Sequence, residues 1–259
     1  MSAKLEVIRL EDVWVQYDGL PVLEGINLSL KEQDFLGIIG PNGGGKTTLL
    51  EVLLGLIEPT CGQVRILGRS AKEGRRSIGH VPQYTKFDHD FPISVWDVAM
   101  MGRLGRRGLF RRYTQDDKRM VAEALHQVEM LELKDRQIGQ LSGGQRRRVY
   151  IARALASDPK ILLLDEPTAS VDSRVVGNVY ELLQNLNQRV TIILVSHDIG
   201  VVSSYVKTIA CLNRRLIYHA SKEITPEMLE AAYHCPVDLI AHGTPHRVFE
   251  QHPVDEVNR

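Results

Sequence analysis

The chain opens on short stretches rich in apolar and β-branched residues. Leu5 to Val15, Ile26 to Leu30 and Phe35 to Ile39 read as strands, broken at Asp18-Gly19 and across Glu32 to Asp34. The run FLGIIG then meets a glycine cluster, and TTLLEVLLGL continues with its apolar positions at helical spacing. Strand, glycine loop, helix is the order of one βα unit. Further strands are predicted at Gln63 to Leu67 and Ser77 to Val81. From about Phe91 to Ala156 the spacing turns helical, most clearly at Val95 to Met101 and Lys118 to Val128. Strand patterning returns at Ile161 to Leu164, Thr191 to Val195, Val206 to Leu212 and Leu216 to Tyr218, with a helix predicted over Arg174 to Asn187. The pattern predicts an α/β fold: a parallel-sheet core split in sequence, with a helical lobe inserted between its halves. From about Ala220 the chain reads as an appended tail with a helix at Pro226 to Tyr233.

Composition narrows this picture. The 259 residues suit one large α/β domain or a domain with an inserted lobe, and 43% hydrophobic against 25% charged residues can bury a sizeable core. With 32 basic and 32 acidic side chains the formal charge is zero, which weighs against a nucleic-acid partner. Cys61, Cys211 and Cys235 are odd in number and far apart, so they form no disulfide framework and suit a reducing cytosol. The N-terminal MSAKLEVIRLEDVW has no apolar segment with a cleavage site, so no secretion signal is expected. Stretches such as Ile161 to Leu164 are far too short to span a bilayer, so any membrane role requires docking on a partner.

Three motifs carry chemistry. Gly40-Pro41-Asn42-Gly43-Gly44-Gly45-Lys46-Thr47, followed by Thr48, lies after a predicted strand and before a predicted helix. Glycines let consecutive N–H groups turn inward around an anion, and the helix adds its positive end. Lys46 is expected to face solvent in the empty state and to place its charge on the outer phosphates. The Thr47 hydroxyl is suited to Mg²⁺. The run Ile161-Leu162-Leu163-Leu164 ends in Asp165 and Glu166, the first placed to hold Mg²⁺ and the second to polarise an attacking water. Taken alone, such a pair is a solvated strand end; beside the phosphate loop it is a catalytic pair. At Leu141-Ser142-Gly143-Gly144-Gln145, Ser142 makes a good helix N-cap. Arg146, Arg147 and Arg148 crowd the first turn after it, where positive charge opposes the helix dipole unless an anion docks there.

The last motif resembles the signature of ATP-binding cassette (ABC) proteins. The resemblance implies a P-loop NTPase core of the ABC ATPase type, with an N-terminal antiparallel β subdomain and an inserted helical subdomain. It implies an ABC ATPase domain over 1–220 (core 1–88 and 157–220, helical subdomain 89–156) and a C-terminal extension over 221–259. It further implies that Ser142, Gly143, Gly144 and Gln145 meet the γ-phosphate of ATP held on an opposite subunit. By position, Tyr17 would stack on adenine and Gln83 would touch both the metal and a membrane partner. Asp172, in Ser170-Val171-Asp172, would cross the dimer interface, and His197 would contact the γ-phosphate. Catalysis would fall to Glu166, His197 and Gln83, with Thr47, Gln83 and Asp165 on the metal. Gly44 stands where the family often has Ala or Ser, and Arg146 where a second Gln is common.

A single cassette without a membrane span fits an import-type ATPase acting as an ATP-dependent homodimer. It would dock through Gln83 and the helical subdomain on permease subunits, at the cytoplasmic face of the inner membrane, with a solute-binding protein as indirect partner. The segment GHVPQYTKFDHDFPISVWDVAMMGR and the tail DLIAHGTPHRVFE resemble the ATPases of bacterial zinc/manganese importers. An importer for an iron chelate or other small solute and a soluble non-transport ABC ATPase are the alternatives. Tyr84, Phe87, Phe91 and Trp96 suit either a groove for a partner helix or the core of the helical lobe. His219, His234, His242, His246 and His252, with Cys235, invite a metal site, but Gly243 and Pro245 keep His242 and His246 off a shared helical face. Arg103, Arg106, Arg107, Arg111 and Arg112 suit a solvated basic face, or contact with head groups or the permease.

Overall fold

The computed structural model describes residues 4–83, 91–107, 112–167, 173–219, 241–242 and 244–245. Strands β1 (Glu6–Tyr17) and β2 (Leu20–Lys31) form a long antiparallel hairpin around Asp18-Gly19. Strand β3 (Phe35–Ile39) runs into the glycine loop and helix α1 (Lys46–Leu53). Then come β4 (Cys61–Ile66), β5 (Arg69–Ser70), a single turn α2 (Ala71–Gly74) and β6 (Ile78–Val81). The order β2-β1-β4-β5 makes a four-stranded antiparallel sheet.

The helical part comprises α3 (Val95–Met100), α4 (Leu104–Arg107), α5 (Gln115–Gln127) and α6 (Gly143–Leu155). Ser94, Thr114 and Ser142 cap α3, α5 and α6 through bonds to N–H groups of the first turn. The chain then returns to the main sheet through β7 (Ile161–Asp165), α7 (Ser173–Leu186), β8 (Thr191–Val195), α8 (Ile199–Tyr205), β9 (Thr208–Asn213) and β10 (Arg215–His219). The six-stranded order β10-β9-β3-β8-β7-β6 is parallel except for β10. The short pair β11 (Ala241–His242) and β12 (Thr244–Pro245) holds His242 on extended chain.

The uninterrupted apolar runs of the central strands follow from burial on both faces. Phe35, Ile39, Leu162, Leu164, Ile192 and Leu194 point to one core, shared with α3, α5, α6 and α7. Their neighbours Leu36, Ile38, Ile161, Leu163, Ile193 and Val195 point to the other, shared with α1 and the antiparallel sheet. Helix α1 is thereby clamped between two sheets, which fixes the loop in front of it.

Arg103 corrects the expectation of a solvated basic face. It is buried, its Nε donates to Asp117 Oδ1 at 2.9 Å, and its Nη1 donates to the Ala156 carbonyl at 2.8 Å. A buried guanidinium is tolerable only with such partners, and here it ties α5 to the end of α6. Arg106 is exposed and donates to the Asp158 carbonyl, and Arg112 is exposed. Arg111 lies outside the described residues. Of the aromatic residues, Trp96 packs against the core and Phe91 is exposed, whereas Tyr84 and Phe87 lie outside the described residues.

Candidate active site

Parallel pairing aligns the carboxyl ends of four neighbouring strands. Ile38 on β3 pairs with Val195 on β8, Val195 with Asp165 on β7, and Leu164 with Val81 on β6. The chain leaving these ends is, in the same spatial order, the glycine loop, Ser196-His197, Glu166 and Pro82-Gln83. Ligands of open α/β sheets bind outside this edge. An open cleft of about 300 Å³ is lined here by Val22, Asn42, Gly43, Gly45, Lys46, Thr47, Thr48, Gln83, Asp165 and Glu166.

The loop is shaped by its glycines. Gly45, the residue before α1, is left-handed at φ 92° and offers no side-chain cap, so the first amides of the helix stay open to an anion. At Gly44 a Cβ would stand 2.8 Å from the Leu212 carbonyl oxygen, and the Gly44 carbonyl accepts from the Arg214 N–H at 3.1 Å. The β9–β10 turn thus presses on the loop, which accounts for glycine at this place in this chain. Gly40 and Pro41 carry the loop carbonyls nearest Lys46.

Lys46 departs from its expected solvent-facing pose. It is buried, and its ammonium donates to the Gly40 carbonyl at 2.9 Å and the Pro41 carbonyl at 2.8 Å. A buried charged group needs such acceptors. Desolvation lowers its pKa, and the charges of Glu166 and Asp165 oppose that shift.

Asp165 and Glu166 are both buried. Desolvation raises the Asp165 pKa, and the adjacent Glu166 charge adds to the rise; Lys46 and Arg147 oppose it. Glu166 takes a left-handed backbone at φ 47°, held by its N–H bond to the Val195 carbonyl. That conformation costs a non-glycine residue about 1–2 kcal/mol, and it turns the side chain out of the strand into the cleft. Glu166 Oε2 lies 2.8 Å from Nδ1 of the exposed His197, so the two expected catalytic groups meet. The hard oxygen donors Thr47, Asp165 and Gln83 line one cleft, a set that fits Mg²⁺ shared with phosphate oxygens.

Ser142, Gly143, Gly144 and Gln145 do not line this cleft; they form the start of α6. Ser142 N donates to Gln145 Oε1 at 3.0 Å and Gln145 N to Ser142 Oγ at 3.3 Å, a closed capping box. Behind it, Arg147 and Arg148 bond within the subunit. Arg147 is buried and reaches the Pro82 and Asp165 carbonyls, each at 2.8 Å. Burial lowers its pKa to about 10, against the attraction of Asp165. Arg148 donates to the Val128 carbonyl and pairs with Glu129. Arg147 is the side chain at these strand ends that the sequence reading did not single out, because adjacency in a basic run hides which member turns inward.

Tyr17 is exposed at the end of β1 and is not among the cleft residues, although Val22 on the same hairpin is. Asp172, with Ser170 and Val171, lies outside the described residues. So do His234, Cys235, His246, His252 and the helix expected at 226–233. Among the described residues no helix is long and apolar enough to cross a membrane, and no group of three or more potential metal-ligating side chains is found.

The profile of the ABC transporter family matches residues 23–169. The manganese transport system ATP-binding protein MntB of Bacillus subtilis (strain 168) is 41% identical over 229 residues, 87% of this chain and 92% of its own length. The zinc uptake system ATP-binding protein ZurA of Listeria innocua is 39% identical over 221 residues, 83% of this chain and 86% of its own. A solved inward-facing transporter assigned to the metal-chelate type superposes with a TM-score of 0.81 at 30% identity, covering 94% of this chain and 96% of that one. This chain belongs to the ABC transporter family, as an ATP-binding and ATP-hydrolysing subunit that energises transport.

Proposed function

We propose that the chain drives uptake of a divalent metal ion, zinc or manganese, as a homodimer that closes on two ATP molecules. The dimer sits peripherally on the cytoplasmic face of the inner membrane. It docks on permease subunits near Gln83 and the helical subdomain, with a solute-binding protein delivering the ion. Residues 1–220 are its ATPase domain, with 89–156 as the helical subdomain, and 221–259 are an extension.

The observation that carries the hydrolytic part is the side-by-side alignment of the glycine loop, His197, Glu166 and Gln83 on four adjacent strand ends. In this reading the amides of residues 40–48 and Lys46 bind the phosphates, and Tyr17 stacks on the base. Thr47, Asp165 and Gln83 would hold Mg²⁺, which would supply charge compensation on the phosphate oxygens. Glu166 draws a proton from the attacking water, and His197 holds the Glu166 carboxylate in register from the γ-phosphate side. Gly143 and Gly144 offer their amides to the partner's γ-phosphate, flanked by Ser142 and Gln145, and Asp172 crosses the interface.

Lys46→Ala is expected to raise the Kd for ATP by about ten- to a hundredfold, the worth of one strong charge-assisted contact. Titration with a fluorescent ATP analogue checks it, and unchanged affinity would remove this loop from the phosphate site.

The cargo is supported by the manganese and zinc relatives. Cells lacking the chain should lose high-affinity uptake of radioactive zinc or manganese, and the wild-type chain should restore it while Glu166→Gln does not. The metal-chelate likeness favours a second reading, an iron-chelate importer. Intact zinc and manganese uptake with lost chelate uptake would decide for that reading.

A further inference from the structure

The guanidinium of Arg147 is a physical link between the signature helix and the catalytic strand ends of the same subunit. It leaves the second turn of α6, is buried, and spans from Nη1 to the Pro82 carbonyl and from Nη2 to the Asp165 carbonyl, both at 2.8 Å. These carbonyls lie where pairing of β6 with β7 ends, one residue past the Val81–Leu164 pair. The planar fork of arginine binds both strand ends at once. Pro82 directly precedes Gln83, and Asp165 directly precedes Glu166, so the two anchored peptides carry two of the cleft's functional side chains.

We propose that Arg147 is a positioning residue that couples the start of α6 to Gln83 and to the Asp165–Glu166 pair. The proposal rests on the sandwich reading, in which the start of α6 engages the partner subunit's nucleotide. When α6 shifts to meet that nucleotide, the two-pronged contact with both strand ends transmits the shift. Each subunit's catalytic carboxylate then reports on the ATP of the other site, and the two sites hydrolyse cooperatively. The Nε makes no hydrogen bond among the described residues, so the coupling runs through the two Nη atoms alone.

The test compares Arg147→Gln and Arg147→Lys with wild type for ATP affinity, kcat, KM and the Hill coefficient of hydrolysis. Arg147→Gln should keep ATP affinity and KM within about twofold and lower kcat about tenfold, and its Hill coefficient should fall towards one. Arg147→Lys, a point charge that reaches one carbonyl rather than two, should recover part of kcat and little of the cooperativity. Dimerisation of Glu166→Gln on ATP is measured in parallel. Failure of that control removes the sandwich reading itself. If the control dimerises while Arg147→Gln keeps wild-type kcat and Hill coefficient, the coupling is overturned and the sandwich stands. Should Arg147→Gln fail to fold, the lysine variant decides: full wild-type cooperativity overturns the proposal. Parallel losses of stability, ATP affinity and kcat in both variants reduce Arg147 to a packing role and overturn it as well.

Discussion

Glu166→Gln is expected to lower ATP turnover by about a hundredfold or more, the usual scale of a general base. The amide keeps the size of the carboxylate and can still accept from Nδ1 of His197, now 2.8 Å away, so the local geometry should survive. What is lost is the basic oxygen. ATP binding should persist, because the loop amides, Lys46, Thr47 and Asp165 are untouched. The bound, uncleaved ATP should then hold two subunits together. Size-exclusion chromatography should show a shift from monomer to dimer with ATP and none with ADP, and the wild type should shift less because it consumes its ligand. A variant that stays monomeric at saturating ATP and hydrolyses at a near-normal rate would falsify both the base assignment and closure on ATP.

The strand edge that carries the cleft was legible in the sequence because its signals are local. A strand buried on both faces must be apolar along its whole length, so the change from Leu164 to Asp165 marks the strand end directly. The same logic set the glycine loop after Ile39. Strand β2 was harder to bound. It was expected over Ile26 to Leu30 and extends over Leu20–Lys31, since Pro21, Gly25 and Asn27 interrupt the pattern without ending the strand. As the outer strand of its sheet, β2 tolerates a proline on its free side.

Helix α8 gave no sequence signal. Val201, Val202, Ser203 and Ser204 are weak helix formers, and the helix exists through tertiary packing. Val202 and Val206 close over Gly37, where a Cβ would stand only 2.4 Å from the Val202 methyl. That contact joins residues far apart in sequence and leaves no periodic trace. The arginines failed for a related reason. Charge is written in the sequence, but burial is not, and Arg103 and Arg147 turn inward, where Asp117 and backbone carbonyls accept from them. Lys46 was misread in the same way, as a solvent-facing charge, when two loop carbonyls lie within reach.

Ser142→Asp should abolish hydrolysis by the dimer while leaving ATP binding to the single subunit nearly intact. Ser142 does not line the cleft that contains Lys46, so its own subunit's nucleotide should not sense the change. Aspartate is as good an N-cap as serine, and the bond from the Gln145 N–H can be kept, so helix α6 should not be weakened. The new carboxylate would face the partner's γ-phosphate, and a like-charge contact at an interface costs several kcal/mol. Since each 1.4 kcal/mol is tenfold, turnover should fall by about a hundredfold or more. Ser142→Ala separates charge from capping. It removes the cap at a cost of about 1 kcal/mol but brings no repulsion, so it should retain most of the activity that the aspartate variant loses. The pair is read by steady-state ATPase rates beside monomer nucleotide titrations. Equal damage from alanine and aspartate would trace the loss to the helix cap. Wild-type rates in the aspartate variant would mean that no phosphate approaches the start of α6.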